Sequence, residues 1–526
     1  MSLPESLQAL LDPGSYPHPC GTIELIETHI SWVLLTGGRA YKLKKPVRFS
    51  FVDFSTLALR EHFCREEVRC NRAFSPALYE GVCAIVRLLD GSLSVLQEGG
   101  TPAGEVIEWA VQMRQFDTRS QLDRMLERGE LHKEMLRRFG ASLAAKQRDL
   151  PVLDGTPEEV DVRMLGPMED NFLEIARTSL HRQHDSLLEE TRTLARVTAE
   201  TLRALMARRL TEGRVRECHG DLHLANLALI EGEVSAFDCL EFNANLRWID
   251  TMSDVAFLFM DCHVRDRQDL AYGFLDGYLD ESGDYEGAGL LGYFCAYRSM
   301  VRAKVAALRH EQSRENPSAA QDQAQRCLTH ILWARRRLDR PRGRLVLMCG
   351  LSGSGKSHLA GMLVTELPAL RLRSDVVRKV QAGLTASSHS QSPTDAGLYE
   401  AGKTERVYAA LGDAAMALLE TGEHVILDAT FIEGARRRQL LKRAAALGVR
   451  ACVLYCTAPV EVLRERISAR EAAGADPSEA TLEVLDRQIE RHQPPGADEP
   501  AITVDMGSRI STERVRALAA QVLQQV

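Results

Sequence analysis

The sequence lacks the features that would place it in a membrane or an extracellular fold. Its longest apolar runs, such as Val255–Met260, are far shorter than the roughly 20 residues that a membrane-spanning helix needs. Residues Met1–Glu5 show no basic segment followed by an apolar one, so no secretory signal is visible. The 12 cysteines include no C-x-x-C pair, and their scatter through apolar segments favours reduced core thiols. We therefore expect a cytoplasmic protein without a membrane partner.

The chain also lacks a strong charge of one sign. It has 65 basic and 73 acidic residues and a net charge of −8. This balance argues against a general nucleic-acid or membrane-surface binder but leaves room for a local basic groove. No internal repeat or long low-complexity tract stands out. A chain of 526 residues is too long for one compact domain, so two or three domains are expected.

The strongest motif is Gly350–Ser357, which matches the phosphate-binding pattern G-x-x-x-x-G-K-[ST] at every fixed position. An apolar run that predicts a buried strand precedes it, and a helix is expected to begin at Lys356. The glycines let backbone N–H groups turn towards an anion, and the helix N-terminus adds partial positive charge. In this motif Lys356 reaches the β- and γ-phosphates of a nucleotide and Ser357 holds Mg²⁺. The predicted nucleotide-binding residues are Gly350, Ser352, Gly353, Ser354, Gly355, Lys356 and Ser357.

Residues 344–526 are predicted to form an α/β domain in which apolar β-type runs alternate with helical patterns. This alternation implies a five-stranded parallel sheet covered on both faces, with ligands bound beyond the carboxyl ends of the strands. Pro341 and Gly343 would stop the preceding helix, so we place a linker at residues 336–343. The predicted strands are Leu345–Cys349, Ala369–Leu372, His424–Leu427, Ala451–Tyr455 and Ala501–Val504.

Residues 1–335 are predicted to form a second, α+β domain with two lobes. Strand patterns surround one helix in a small lobe up to about residue 115, and helical patterns dominate from about 116 to 335. Gly37-Gly38 between two strand patterns is a hairpin signal. The predicted strands of the small lobe are Thr22–Glu27, Ser31–Thr36, Arg39–Lys44, Gly81–Leu88 and Val106–Met113.

A second phosphate-handling motif lies upstream, in His219-Gly-Asp221-Leu-His223-Leu-Ala-Asn226 followed by Phe237-Asp238. In phosphoryl transfer a carboxylate beside an alcohol accepts its proton, while an amide and a second carboxylate hold the metal that bridges the phosphates. Asp221 and Asn226, five residues apart, would supply the base and one metal ligand. Asp238 would supply the other ligand.

These residues, together with Ile249-Asp250-x-x-x-Asp254-Val-Ala256, resemble the aminoglycoside phosphotransferase and choline kinase group of eukaryotic-like kinases. The resemblance implies a protein-kinase-like fold in which Asp221 is the catalytic base and Asn226 and Asp238 bind Mg²⁺. It also implies that Asp254 braces the catalytic loop. No G-x-G-x-x-G precedes the predicted lysine strand, which leaves nucleotide preference and catalytic competence open.

A kinase-like small lobe should also carry a lysine for the nucleotide phosphates, and the strand Arg39–Lys44 is the one that fits. Lys42 follows an alanine two residues earlier on the same face, as in kinase strands of this type, and Lys44 on that face is the alternative. A solvated basic edge strand would give the same pattern. A glutamate on the next helix should pair with the lysine. Glu67, which shares a helix face with apolar residues, is favoured over Glu66, although an isolated surface acid remains an alternative.

The residues after the P-loop favour a kinase over an ATPase. Asp375 and Arg378 follow the second strand of the C-terminal domain, where they would face the P-loop across a cleft. Asp375 could accept a hydroxyl proton, and Arg378 could hold an anionic group of the acceptor. Asp428 ends the third strand and is expected on the Mg²⁺ side. The polar stretch Gln381–Lys403 is expected beside the acceptor pocket.

The helix Val460–Glu471 carries several arginines and leads through residues 473–478 into another helix. A helix–loop–helix rich in arginine suits a lid that closes over phosphates. Arg470, nearest the loop, is the favoured lid residue, whereas Arg464 and Arg466 also fit a solvated helix face. Residues 344–526 thus resemble P-loop kinases of the polynucleotide kinase, zeta toxin and gluconate kinase group.

Together the patterns predict an ATP-binding protein with two Mg²⁺-dependent kinase domains acting on hydroxyl groups of small molecules. The upstream domain could instead be a nucleotide-sensing pseudokinase, although Asp221, Asn226 and Asp238 together argue against that. The P-loop domain could be an ATPase switch, although Asp375 with Arg378 argues for an acceptor. A nucleic-acid 5′-hydroxyl as acceptor gains no support from the net charge of −8. The sequence names neither the acceptors nor an oligomeric state.

Overall fold

A computed structural model describes residues 3–49, 52–97, 99–101, 103–385, 400–473 and 481–525. The chain divides into two units. The first unit comprises Met1–Leu131, Asp149–Glu159 and Ala207–Asp254, and the second comprises His132–Arg148, Val160–Met206 and Val255–Val526. Of the helices that the structure describes, none combines the length and the apolar character needed to span a bilayer.

A six-stranded antiparallel sheet organises the first unit in the described residues, with strand order β1-β2-β3-β8-β6-β7. The predicted hairpin is confirmed, because β2 and β3 pair across Gly37, whose φ of 92° suits glycine. Strand β7 was not predicted, because its four residues are too few for alternation to stand out from the adjoining turn. The strands of this unit are β1 (Glu24–Glu27), β2 (Ser31–Leu35), β3 (Arg39–Lys44), β4 (Arg48–Phe49), β5 (Val52–Asp53), β6 (Tyr79–Arg87), β7 (Leu93–Leu96), β8 (Glu105–Arg114), β9 (Val215–Glu217), β10 (Leu227–Ile230), β11 (Glu233–Ala236) and β12 (Trp248–Asp250).

The two faces of this sheet bury different apolar clusters. Leu43 packs on one face with residues from the N-terminal turns, and Val111 packs on the other with helix α1 (Leu57–Arg72). Helix α1 begins after Thr56, whose side chain accepts a hydrogen bond from a backbone N–H of the first turn. Glu67 is fully buried on this helix. A buried charge of this kind requires ionic partners.

Helices make up most of the second unit. Helices α8 and α9 form an antiparallel pair joined by a short turn at residues 313–316. After α1 in the first unit, the helices in chain order are α2 (Leu122–Glu127), α3 (Lys133–Asp149), α4 (Gly166–Ala176), α5 (His181–Thr211), α6 (Thr251–Val264), α7 (Gln268–Ser282), α8 (Leu291–Gln312), α9 (Pro317–Leu338), α10 (Lys356–Glu366), α11 (Ser374–Gln381), α12 (Ala401–Glu420), α13 (Gly434–Ala446), α14 (Val460–Ala473), α15 (Leu482–Arg491) and α16 (Thr512–Gln525).

The second unit also contains the predicted parallel sheet, which the described residues confirm with five strands in the order β14-β15-β13-β16-β17. All five predicted strands are present, extended by up to two residues at their carboxyl ends. The central strand is buried along its whole length, as its continuous apolar run requires. Because the carboxyl ends of β14, β13 and β15 adjoin, the segments that follow them meet at one edge. The strands are β13 (Leu345–Cys349), β14 (Ala369–Arg373), β15 (His424–Asp428), β16 (Ala451–Thr457) and β17 (Ala501–Asp505).

Candidate active sites

The P-loop connects β13 to α10, and its shape depends on three glycines. Gly350, Gly353 and Gly355 have φ values of 149°, 80° and 82°, which L-residues rarely adopt. A Cβ atom at Gly353 would lie 2.7 Å from the carbonyl oxygen of Leu463, and one at Gly350 would lie 2.6 Å from that of Cys456. The backbone therefore approaches its neighbours too closely for any side chain at these positions.

The residues that end the loop contact the acid at the end of β15. Ser357 Oγ donates a hydrogen bond to Asp428 Oδ1 at 2.9 Å. Asp428 Oδ2 and Ser354 Oγ are buried and have no hydrogen-bond partner among the described residues. Buried polar atoms without partners are rare. Of the two residues, Asp428 lines the cavity in which the motif would receive a phosphate and its cation.

A cavity of about 480 Å³ joins this loop to the predicted acceptor residues. Lys356, Ser357 and Asp428 line it together with Asp375 and Arg378. Asp375 lies in the first turn of α11, and Arg378 Nη1 donates to its Oδ1 at 2.9 Å. The two side chains that the sequence assigns to proton acceptance and anion binding therefore contact each other within one pocket.

Helix α12 adds residues to this cavity that the sequence did not single out. Tyr408 lines the pocket, and the Arg436 guanidinium lies 4.5 Å from the centre of its ring. Arg436 also pairs with Glu405 at 2.5 Å and with Glu433 at 3.1 Å. The stretch Gln381–Lys403, which the sequence places beside the acceptor pocket, falls largely on residues 386–399, outside the described residues.

The predicted lid consists of helices α14 and α15, which pack together through Leu463, Ile467 and Leu485. The loop between them, residues 474–480, lies outside the described residues. Arg470 and Arg466 both line the cavity. Their i, i+4 spacing places them on one helix face, which was the available sequence signal for a joint role.

Arg464 and Arg466, the two arginines that also fitted a solvated helix face, have different surroundings in the structure. Arg466 donates to the carbonyl oxygen of Gly353 at 3.3 Å and to that of Met506 at 2.7 Å, so it contacts the P-loop itself. Arg464 pairs with Asp486 at the exposed surface, as a solvated helix face predicts. Gln488 of α15 accepts a hydrogen bond from the Ser352 N–H at 2.8 Å, a contact for which the sequence carries no signal.

The upstream site contains a cluster of paired charges in the first unit. Lys42 Nζ lies 2.8 Å from Glu67 Oε1 and also pairs with Asp238. Lys44 lies 2.7 Å from Glu67 Oε2 and also pairs with Glu241. Glu67 thus bridges both candidate lysines. The sequence presented these lysines as alternatives and did not single out Glu241.

The pairing shifts the ionisation of these buried groups. Burial opposes the charged form of Glu67, but Lys42 and Lys44 outweigh it and lower the pKa of Glu67 to about 2. Burial likewise lowers the pKa of Lys42, but Asp238 and Glu67 outweigh it, so the pKa is raised. Both groups are therefore ionised at neutral pH.

The catalytic-loop motif folds around Asp221. Asn226 Nδ2 donates to Asp221 Oδ2 at 3.0 Å, and His223 Nε2 lies 3.3 Å from the same oxygen. The prediction that Asp254 braces the loop is confirmed, because its carboxylate accepts hydrogen bonds from the N–H groups of His219 at 3.1 Å and Gly220 at 3.0 Å.

Asp238 lies at a strained position two residues after the end of β11. Its φ of 61° is left-handed, a conformation that non-glycine residues adopt mainly where the surroundings impose it. The N–H of Asp238 donates to Tyr79 Oη at 3.0 Å, and the next N–H, of Cys239, donates to Asn71 Oδ1 at 2.9 Å. These bonds hold the carboxylate beside Lys42.

Within the described residues, neither site contains a group of three or more His, Cys, Asp or Glu side chains that could hold a metal ion.

Comparison with known proteins identifies both halves of the chain. The model of the Phosphotransferase enzyme family matches residues 65–291, and that of the AAA domain matches residues 345–495. The proteins Rv2004c of Mycobacterium tuberculosis and Mb2027c of Mycobacterium bovis are each 31% identical over 470 residues, which is 88% of this chain and 88% of theirs.

Solved structures show weaker similarity. The Plasmodium vivax ethanolamine kinase covers 60% of this chain and 83% of its own at 10% identity, with a TM-score of 0.37. A gluconokinase from Sinorhizobium meliloti covers 35% of this chain and 94% of its own at 20% identity, with a TM-score of 0.26.

The two family matches confirm the predicted fold classes, a kinase-like N-terminal domain and a C-terminal P-loop kinase domain. Glu67 and Asp238 lie within the first matched segment, and the glycine loop at Gly350 lies within the second. The chain therefore belongs to the same family as the mycobacterial proteins, and it is a phosphotransferase that joins a phosphotransferase enzyme family domain to a P-loop kinase domain.

Proposed function

We propose that the protein transfers the γ-phosphoryl group of ATP to hydroxyl groups of small molecules at two Mg²⁺-dependent sites. Residues 1–335 would carry one site and residues 344–526 the other, with a linker at 336–343. The main support is the single cavity of about 480 Å³ that is lined by both the phosphate loop and the acceptor residues Asp375 and Arg378. A nucleotide switch without an acceptor would not need the second set.

The donor half of this cavity fits a nucleotide and its cation. Ser354 Oγ and Asp428 Oδ2 are buried without hydrogen-bond partners in the described residues, and a phosphate and a metal ion bound at the loop would supply such partners. Mg²⁺ commonly takes one or two protein ligands and completes its shell with phosphate oxygens and water. Ser357 and Asp428 would be those ligands. When bound, ATP supplies the phosphoryl group and Mg²⁺ offsets its negative charge.

The acceptor half provides proton transfer and orientation. Asp375 would accept the proton of the acceptor hydroxyl, which requires Arg378 to leave its present hydrogen bond at 2.9 Å. Arg378 would then bind an anionic group of the acceptor. Arg466 and Arg470 on the lid side would stabilise negative charge on the transferring group.

The upstream site offers two groups of contacting side chains that a kinase active site would use, one around Asp221 and one around Lys42. Asp221 would act as the base, with His223 and Asn226 holding its carboxylate. Asn226 donates through its nitrogen, which leaves its oxygen Oδ1 as the atom that a cation would use, together with Asp238. Lys42, held by Glu67 at 2.8 Å, would bind nucleotide phosphates.

The proposal is tested with the full-length protein, labelled ATP, Mg²⁺ and a panel of alcohols, sugars, sugar acids, aminoglycosides and oligonucleotides. We expect label in at least one small-molecule product. Asp221→Asn should abolish transfer to one class of acceptor and Asp375→Asn transfer to another. Calorimetric titration with a non-hydrolysable ATP analogue should give two equivalents per chain.

Three outcomes would contradict the proposal. Binding of no nucleotide would end it. One equivalent, unchanged on replacing Asp238, would restrict it to the P-loop site. Transfer to oligonucleotides alone would replace the small-molecule acceptor by a nucleic-acid end.

A further inference from the structure

Two buried arginines on strand β14 make the P-loop site unusual. All five residues of β14 are buried, and two of them are Arg371 and Arg373. Arginine is almost never fully buried without ionic partners, because an uncompensated charge in a protein interior is strongly destabilising. The carboxylates that pair with these arginines therefore determine where the two positive charges lie relative to Asp428.

Helix α7 supplies the partners. Arg371 donates to Asp276 through two nitrogens at 2.9 and 3.0 Å, and to Asp280 at 2.8 Å. Arg373 donates to Asp280 at 3.3 Å. Asp276 and Asp280 are four residues apart, so they lie on one face of the helix. Arg137 closes the network with bonds to Asp276 at 3.1 Å and Asp280 at 2.8 Å.

The other side of the arginine pair faces the predicted metal ligand. Arg371 Nη1 lies 3.6 Å and Arg373 Nε lies 3.7 Å from Asp428 Oδ2. These separations are too long for hydrogen bonds but short enough for electrostatic attraction. The same oxygen makes no hydrogen bond with any described residue, while Oδ1 accepts the bond from Ser357.

Acidic and basic side chains face one another throughout this network. Three carboxylates, of Asp276, Asp280 and Asp428, face three guanidinium groups, of Arg137, Arg371 and Arg373. Without the α7 carboxylates, Arg373 would still be attracted to Asp375, and both β14 arginines would still be attracted to Asp428. They would then compete with a divalent cation for its free oxygen.

We infer that Asp276 and Asp280 are positioning residues of the P-loop site, because they hold Arg371 and Arg373 just beyond hydrogen-bonding distance of Asp428 and so keep its carboxylate available to Mg²⁺. The inference rests on the proposed function of that site. Both aspartates lie within residues 65–291, which match the Phosphotransferase enzyme family. The metal ligand of the P-loop domain is thus set by side chains that its own family segment, residues 345–495, does not contain.

The test compares Asp280→Asn with Glu281→Gln in the full-length chain. Glu281 is the next residue of α7 and pairs with Arg148 at 2.6 Å, outside the network, so its variant loses the same charge from the same helix. Both are made in an Asp238→Asn background, which removes the negative charge of one of the two proposed upstream metal ligands. Calorimetry with a non-hydrolysable ATP analogue at a series of Mg²⁺ concentrations gives the Mg²⁺ dependence of binding, and thermal unfolding without ligand reports stability.

We expect Asp280→Asn to raise the Mg²⁺ concentration for half-maximal binding by about 10-fold, as for groups that orient metal ligands, and Glu281→Gln to leave it unchanged. Adding Arg373→Gln to Asp280→Asn removes the arginine that has lost its carboxylate partner on α7 and should restore most of the Mg²⁺ dependence. A merely structural role would not produce this rescue. If Asp280→Asn does not fold, Asp276→Asn, which leaves Arg371 its bond to Asp280, takes its place.

The results separate the inference from the proposal on which it rests. If the background protein binds the analogue with a clear Mg²⁺ dependence, and Asp280→Asn shares that dependence while melting at a lower temperature, the aspartates are structural only and the inference is wrong. If the background protein shows no Mg²⁺-dependent binding, the proposed function of the P-loop site fails first, and the inference falls with it.

Discussion

The two candidate phosphate sites differ in whether their polar and charged groups already have partners within the protein. At the upstream site each ionised side chain already has a protein partner, as Lys42 has in Glu67 and Asp238. At the P-loop site the backbone forms the cradle, and buried atoms such as Ser354 Oγ have no partner among the described residues. The charges of the upstream cluster are therefore paired within the protein, whereas the P-loop site keeps buried polar atoms that a bound anion and cation would pair.

This difference has consequences for stability and for binding. Where buried side chains pair with one another, removing one of them leaves an uncompensated buried charge, which destabilises the fold. A backbone cradle contributes little to the fold, but removing its lysine or filling its glycine space affects the ligand directly. Substitutions should therefore affect mainly stability at the upstream site and mainly binding and turnover at the P-loop site.

The largest expected effect is that of Lys356→Ala. Loss of the charge that faces the transferring phosphates should lower C-terminal turnover by about 100- to 1000-fold while leaving upstream nucleotide binding intact. Labelled-product assays and calorimetric equivalents, falling from two to one, measure this. The exposed Lys442 of α13 offers a control, since Lys442→Ala should change neither. Loss of nucleotide binding at both sites in Lys356→Ala would contradict the independence of the two sites.

The next effect contrasts the two upstream lysines. Lys44→Met leaves Glu67 with one partner and Glu241 without its lysine, both in the protein interior. We expect a loss of about 3–5 kcal/mol in the free energy of unfolding, measured in urea. Lys42→Met should cost less stability, because the second acid it leaves unpaired, Asp238, is half-exposed whereas Glu241 is buried, and should abolish upstream transfer. Equal stability losses would contradict distinct roles.

A smaller effect is expected from Gly353→Ala, which tests the cradle. The added Cβ would lie 2.7 Å from the Leu463 carbonyl oxygen, at a φ of 80°, so we expect strain of about 1–3 kcal/mol and weaker P-loop nucleotide binding. Gly402→Ala on α12 is the control, since a Cβ there meets nothing within 4 Å. Calorimetry and thermal unfolding separate the two effects. Unchanged nucleotide affinity would mean that the loop does not approach the phosphates closely.

The smallest expected effect is a difference in pH dependence between the two units. Burial lowers the pKa of His263, His330 and His424 in the second unit to about 4. An unfolded histidine titrates near 6.5, so the unfolded chain binds more protons between about pH 6.5 and 4, and the free energy of unfolding falls as the pH drops through that window. Glu67 in the first unit has its pKa lowered to about 2, so its contribution declines only below its ordinary pKa, about 4.3.

Pulse proteolysis in urea at pH 7 and pH 5, with fragments assigned by mass spectrometry, measures this difference. The second unit should lose more stability than the first. His330→Gln should reduce the pH slope of the second unit, and His29→Gln, at an exposed loop position, should not. Equal slopes for the two units would contradict the assignment.

The local patterns of the sequence predicted much of this architecture. The five parallel strands, the hairpin at Gly37 and the glycine loop at Gly350 all follow from signals confined to a few adjacent residues. The geometry around Lys42, Glu67 and Asp238 matches the kinase-like expectation. Their catalytic roles remain predictions, as does the assignment of Asp375 to proton acceptance.

Contacts between residues distant in sequence were not predictable in the same way. Lys44 is 197 residues from Glu241, and Arg371 is 95 residues from Asp276. None of these four positions lies in a motif that points to its partner. The sequence of α14 is also compatible with a solvated Arg466, and only the packing of α14 against the P-loop brings this arginine to the Gly353 carbonyl oxygen.

By itself the sequence determined which chemical groups this protein carries, because glycine torsions, strand burial and short motifs are set by neighbouring residues. Only the tertiary structure decided which charges neutralise one another. Ion pairing depends on distances of a few ångströms that the folding of remote segments creates. Helix α7 beside Arg371 and Arg373 is the clearest case, since nothing in either segment alone indicates that one would hold the other away from Asp428.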